Sequence, residues 1–175
     1  MRITNAVAWL IAVLLSAPPA LARQAGTSGA LSEAEKLLTS GDVKGAISSL
    51  DRLVRASPRS YEGRLALGRA LDLDGRHADA RRHLEEALKL APEDERTDAL
   101  TTLGVSYAFE ARADEAARYY QRAFDADIQR NDRAAAAGRA NALGRIYLES
   151  GNVAKNRASL PDRPWTRRAT RRKRQ

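Results

Sequence analysis

The sequence predicts an all-α protein, a solenoid of stacked helix-turn-helix units followed by a disordered C-terminal tail. Three observations carry that expectation. Ala and Leu dominate the apolar residues, and aromatics make up only 5% of 175 residues, a mix suited to close-packed helices rather than a β-sandwich. A Leu-Gly pair recurs at 67, 103 and 143, and a Gly-to-Pro segment recurs from Gly41 to Gly75. Within each recurrence the apolar residues follow helical spacing, with Gly between two runs and Pro after the second.

The N-terminal segment stands apart from the fold. Arg2 precedes an apolar run from Ala6 to Ala17, too short to span a bilayer comfortably. Pro18 and Pro19 end it, and Ala20-Leu21-Ala22 has the small-x-small form of a signal-peptidase site. The expectation is a signal peptide over 1–22, cleaved after Ala22, with an uncleaved anchor as the alternative. Export to the periplasm or the exterior follows. No Cys follows the run, which excludes a lipoprotein anchor, and no twin Arg precedes it. Cys is absent throughout, so disulfides, zinc-thiolate sites and thiol catalysis are excluded.

The repeat domain is expected over 27–156, as units 27–58, 61–94, 97–128 and a partial 137–156. GDVKGAISSLDRLVRASP (41–58) aligns with GRHADARRHLEEALKLAP (75–92) at an offset of 34. LGRALDLDG (67–75) then aligns with LGVSYAFEA (103–111) and LGRIYLESG (143–151), at offsets of 36 and 40. In the second unit, Leu67, Gly68 and Leu71 share one face of a first helix. Gly75 supplies a stop that tolerates positive φ. Ala80, Leu84, Ala87 and Leu88 form the inner face of a second helix, which Pro92 closes. Gly68 and Ala80 lack bulk where two helix backbones approach. A mid-helix Gly costs roughly 1 kcal/mol against Ala, so its recurrence at 68, 104 and 144 implies a packing role.

These residues resemble the tetratricopeptide repeat family. Leu103-Gly104-Tyr107 with Ala116-Tyr120-Ala123 fits its pattern, as does Leu67-Gly68-Leu71-Gly75-Ala80-Leu84-Ala87-Pro92. The first unit matches mainly in its second helix, and the fourth only in its first, through Leu143, Gly144, Tyr147 and Gly151. The resemblance implies a right-handed α-solenoid of about three and a half units. The departures are specific. Ala111 stands where Gly is expected, Ile128 replaces the closing Pro of unit three, and Ala30, Arg64, Leu100 and Ala140 stand where a Trp is common. Asn156 and Pro161 disrupt the second helix of unit four. The array is therefore expected to end on a first helix, whose bare apolar face invites self-association.

No enzyme constellation is present. His77 and His83 are six apart, whereas helical metal pairs use i, i+4. Asp72 and Asp74 diverge on a helix and read as a solvated turn rather than a Mg²⁺ site. There is no Gly-x-Ser-x-Gly elbow and no phosphate loop. No cofactor, metal or small-molecule substrate is expected. The resemblance instead implies a concave, peptide-binding groove lined by the first helices. It places Leu65, Arg69, Asp72 and Leu73 there in unit two, Thr101, Val105, Ala108 and Phe109 in unit three, and Asn141, Arg145, Leu148 and Glu149 in unit four. Leu65, Val105 and Phe109 would anchor apolar side chains, and Arg69 and Arg145 would hold a carboxylate. The alternative is that Leu65 and Phe109 pack between repeats. The Lys/Asn clamp that some relatives use on chaperone C-termini is absent.

The formal charge of +8 belongs to the tail. Residues 155–175 hold nine Lys/Arg against Asp162 alone, whereas 23–154 hold twenty basic and twenty-one acidic residues. The basic tail, 157–175, carries Arg163, Trp165, Arg167, Arg168, Arg171, Arg172, Lys173 and Arg174. It reads either as a disordered terminus or as a site for a polyanion or an anionic membrane surface. The function expected first is a non-catalytic scaffold for a protein or peptide partner. The resemblance adds that exported arrays of this kind serve envelope or pilus assembly. The alternative is an adaptor acting through the tail.

Overall fold

The computed structural model describes residues 19–151, and these form seven α-helices. They are α1 (Pro19–Thr39), α2 (Val43–Ala56), α3 (Tyr61–Leu73), α4 (His77–Leu90), α5 (Arg96–Phe109), α6 (Ala113–Gln129) and α7 (Arg133–Glu149). Each helix packs on the next. The first helices of units one to three also touch, α1 with α3 and α3 with α5, while α5 and α7 and the second helices make no comparable contact. The array is therefore tighter along the first-helix face, and clefts open between the second helices. No described helix is long and apolar enough to cross a membrane.

The turn inside each unit is built by one device. Gly41, Gly75 and Ala111 follow a first helix with φ of 86°, 79° and 56°. The amide one residue on reaches back to close the helix: Asp42 N–H donates to Leu37 O, Arg76 N–H to Leu71 O and Arg112 N–H to Tyr107 O. This is a left-handed C-terminal cap, which Gly adopts without strain and Ala does not. Gly151 repeats the positive φ after α7.

Close approach explains the helical glycines. A Cβ on Gly68 would stand 2.5 Å from Leu84 Cδ2, and one on Gly104 would stand 2.7 Å from the Tyr120 ring. Real carbon atoms do not approach so closely, so α3 and α5 each meet their second helix at a residue without a side chain. Ala46, Ala80, Ala116 and Ala123 are fully buried on the second helices. One core joins Leu50, Leu53, Val54, Leu67 and Leu71 in units one and two. A second joins Tyr61, Leu65, Leu84, Ala99 and Leu103 across units two and three.

Two features depart from the expected units. Helix α1 starts at Pro19, well before residue 27, and runs through the expected cleavage point at Ala22. Helix α7 starts at Arg133, not 137. The joint before it uses no proline. Asn131 takes φ 58°, Asp132 N–H caps Asp127 O, and the Asp132 carboxylate accepts from Ala135 N–H. Asn tolerates the left-handed region and Asp is a favoured N-cap, so Asn131-Asp132 does the work of Pro and extends the helix into the alanine run. Residues 1–18 of the expected signal peptide, the segment in which Asn156 and Pro161 are expected to disrupt the second helix of unit four, and the basic tail lie outside the described residues.

Candidate functional site

Of the twelve residues expected on the first-helix face, the structure brings most to the surface and withdraws two. Leu73, Phe109 and Leu148 are 60%, 56% and 59% exposed, unusual for side chains of that size. Leu73 and Phe109 hold the same place in consecutive units, at the C-terminal end of the first helix, and Leu148 is one residue short of it in the next. Arg69 is exposed, with its guanidinium 3.2 Å from Thr102 Oγ1, so it bridges α3 to α5. Arg145 is exposed and loosely paired with Glu149 at 3.7 Å. Asn141 and Ala108 are exposed, and Thr101 and Val105 are half-buried. The Thr101 hydroxyl is turned back onto Thr97 O.

Leu65 and Asp72 correct the expectation. Leu65 is 7% exposed and belongs to the core between units two and three. It packs between repeats and offers no groove anchor. Asp72 is 6% exposed, so it is neither a solvated turn residue nor a groove residue. Its Oδ1 accepts from Ser106 Oγ at 2.8 Å and lies 3.0 Å from His77 Nδ1. A buried carboxylate needs such partners. Ser, Asp and His meet here, but Asp72 stands in the middle and the imidazole does not touch the hydroxyl. Ser106 is fully buried, so its hydroxyl is a structural donor to Asp72 and presents no surface to a substrate. The arrangement does position Phe109, which stacks on the His77 ring at 5.7 Å. The exposed aromatic is thus held from below by a buried polar contact linking α3, α4 and α5.

The opposite face carries arginine–tyrosine stacks that sequence reading missed. Tyr107 and Tyr119 stack at 5.4 Å. The guanidiniums of Arg81 and Arg112 lie 4.9 and 4.8 Å from the Tyr107 ring centre, and that of Arg122 lies 5.5 Å from Tyr119. Arg81 also pairs with Glu110 and Arg112 with Glu115, each at 2.5 Å. Burial raises the phenol of Tyr119 above its ordinary value, keeping it neutral. One signal was present in the sequence: Arg-x-x-acid at 76–79 and again at 112–115, each opening a second helix.

Charge is also buried at the α5–α6–α7 junction. Asp127 is fully buried. Arg130 reaches it at 2.7 Å and also donates to Thr97 Oγ1 and Asp94 O. Arg139 of α7 approaches the other carboxylate oxygen at 3.5 Å, near enough for charge attraction but without hydrogen-bond geometry. At the matching end of unit two, Tyr61 donates to Glu95 O, and burial with the nearby Glu95 and Asp98 pushes its phenol up to about 12. No group of three or more His, Asp or Glu side chains among the described residues could hold a metal ion.

Antiparallel helix pairs, stacked on their first helices and joined by small residues at each pair's contact, define an α-solenoid repeat protein. The tetratricopeptide repeat pattern matches residues 31–95. The positive-φ turn recurs at Ala111 and Gly151 and the close contact at Gly104, so the repeat architecture runs on beyond the matched residues. No curated protein matches the chain in sequence. Its fold is similar to the TPR2B domain of yeast Sti1 in its pHsp70 complex, with a TM-score of 0.63 at 14% identity, over 71% of this chain and 98% of that one. It is also similar to the ArsTM double mutant of MamA from RS-1, with a TM-score of 0.59 at 18% identity, over 76% and 72% of the two chains. The N-terminal domain of stress-induced protein-1 from C. elegans gives 0.50 at 14% identity, over 58% and 87%. At these identities the likeness is one of fold. Repeats of this family are generally interaction modules rather than catalysts, which assigns the chain to protein–protein interaction at that level.

Proposed function

We propose that this chain is an exported, non-catalytic scaffold that binds an extended segment of a partner protein along its first-helix face. The observation that carries the reading is the exposed row Leu73, Phe109 and Leu148, flanked by the guanidiniums of Arg69 and Arg145. Large apolar side chains left in water at equivalent places of successive units suit a ligand that crosses the units. The arginines add carboxylate recognition along its length. The pHsp70 complex of the similar Sti1 domain supports a peptide-like ligand. Export rests on the sequence of residues 1–22, and it would set the scaffold in envelope or pilus assembly.

The test is affinity capture from envelope extract, read by mass spectrometry. It compares the chain, a form ending at Ala154, and Arg69→Ala/Phe109→Ala/Arg145→Ala. The reading predicts that the triple variant loses a defined protein that the shortened form keeps. If shortening alone abolishes capture and salt removes the remainder, the basic tail is the binding element and the array is a spacer.

A further inference from the structure

The clefts between second helices repeat along the array, and they are not equivalent. The cleft between α2 and α4 has a floor of Leu71 and a rim of Arg76, Asp79, Arg82 and His83. The cleft between α4 and α6 has Tyr107 on its floor and Arg112, Glu115, Arg118 and Tyr119 at the same places, each 36 residues on. In the first cleft, the cations are matched. Arg76 and Arg82 both rest on Asp79, and Arg55 rests on Asp51. In the second, Glu115 is taken by Arg112 and Glu110 by Arg81. Arg118 and Arg122 make no ion pair with a carboxylate among the described residues. The position of Arg122 is held by an acid, Glu86, one unit earlier.

We propose that this α4–α6 cleft is a second binding surface, for an acidic segment of a partner protein. Arg118 and Arg122 stand one helical turn apart, where like charges repel and destabilise the free helix. A carboxylate between them relieves that repulsion and offers each guanidinium a charge-assisted contact. Arg122 already lies over Tyr119, so little side-chain freedom remains to be lost on binding. The two arginines form a ridge shared by a cavity of about 250 Å³ on the Tyr107–Tyr119 side and one of about 510 Å³ lined by Asp114, Gln121 and Tyr147. Two hollows across one cationic ridge suit an extended chain better than a compact anion. The Tyr107 and Tyr119 rings are stacked on each other with guanidiniums over them, so the cleft favours carboxylates over aromatic ligands.

The test uses the full chain and a fluorescent alternating Glu-Ala peptide, with its Gln-Ala counterpart as control, read by polarisation at physiological ionic strength. The Glu peptide should bind at least about tenfold more tightly than the Gln peptide, and R118Q/R122Q should abolish that preference. The comparison is made in the R69A/F109A/R145A background, which removes the carboxylate contacts of the first-helix face and so separates the two surfaces. Both arginines are exposed, and an unchanged thermal melt of R118Q/R122Q would show that the fold is intact. Undiminished binding by R118Q/R122Q would assign the peptide to the basic residues 163–174 and overturn the proposal. Displacement by inorganic phosphate as effective as by unlabelled peptide would overturn it too, leaving a simple anion site.

Discussion

Units one and two differ from units three and four in what holds them. The first pair has a leucine core: Leu50, Leu53, Leu67, Leu71 and Leu84 are buried, and its joints close at Pro58 and Pro92. The last pair buries mainly alanine, at 99, 116, 117, 123, 136 and 140, with Leu100, Leu103 and Leu143. Alanine covers little area, so hydrophobic burial there is weaker. Its joint has Asn131-Asp132 in place of Pro, and a buried Asp127 ties three helices through Arg130 and Arg139. One repeat fold is thus held mainly by a leucine core at one end, where Asp72 is buried against Ser106 and His77, and by alanine contacts with a charged junction at the other. The apolar end tolerates approximate fit, while the charged end depends on one carboxylate.

The largest expected effects test that division. Asp127→Ala removes the bond to Arg130, whose guanidinium stays partly in water and keeps Thr97 and Asp94, and should cost about 1–3 kcal/mol in urea denaturation. Leu84→Ala, at the apolar end, should cost about 3 kcal/mol by leaving a cavity. An Asp127→Ala loss below about 1 kcal/mol would make the charged junction incidental. Next come the close helix contacts. Gly68→Ala and Gly104→Ala each gain helix propensity of about 1 kcal/mol but force a clash worth about 1–3, so both should lower the melting temperature. Gly104→Ala should cost more, because a Tyr120 ring yields less than the end of Leu84. The turns supply a smaller effect of opposite sign. Ala111→Gly should stabilise by about 0.5 kcal/mol, since Ala111 is held at positive φ, whereas Asn131→Gly should change little. A drop in melting temperature for Ala111→Gly would contradict the cap geometry.

The smallest effect is a pH dependence confined to the apolar end. Burial, with Arg64 nearby, lowers the pKa of His83 below its ordinary value. Its folded form therefore prefers the neutral ring, while the unfolded chain takes up a proton near about pH 6.5. The stability this contributes is present above that pH and is lost as pH falls through the lowered folded value. His83→Gln should flatten that part of the stability profile, measured by thermal melts between neutral and mildly acidic pH.

Much of the fold could be read from residues with no side chain to spare. Gly68, Gly104 and Ala80 recur because backbones meet there, and Gly75 recurs because the turn needs positive φ. The start of α7 was misplaced because Ile128 was aligned with a missing Pro, while Asn131-Asp132 carried the true signal. The surface was less legible. A family pattern places Leu65 and Asp72 on the first helix correctly, but it does not report that the next unit closes over them. Asp127 looks like an ordinary solvated acid on an amphipathic helix, and only Arg130 folding back from the helix end and Arg139 arriving from α7 make it structural. The Tyr107–Tyr119 stack joins side chains from two helices and is covered by arginines from α4, from α6 and from the turn before α6, which no single periodicity reveals.

Native-state hydrogen exchange of the chain and its Asp127→Ala variant most directly tests whether one array is held in two ways. The account predicts that α6 and α7 lose amide protection in the variant while α2, α3 and α4 keep theirs. An even loss across all seven helices would show a single cooperative unit and contradict the division.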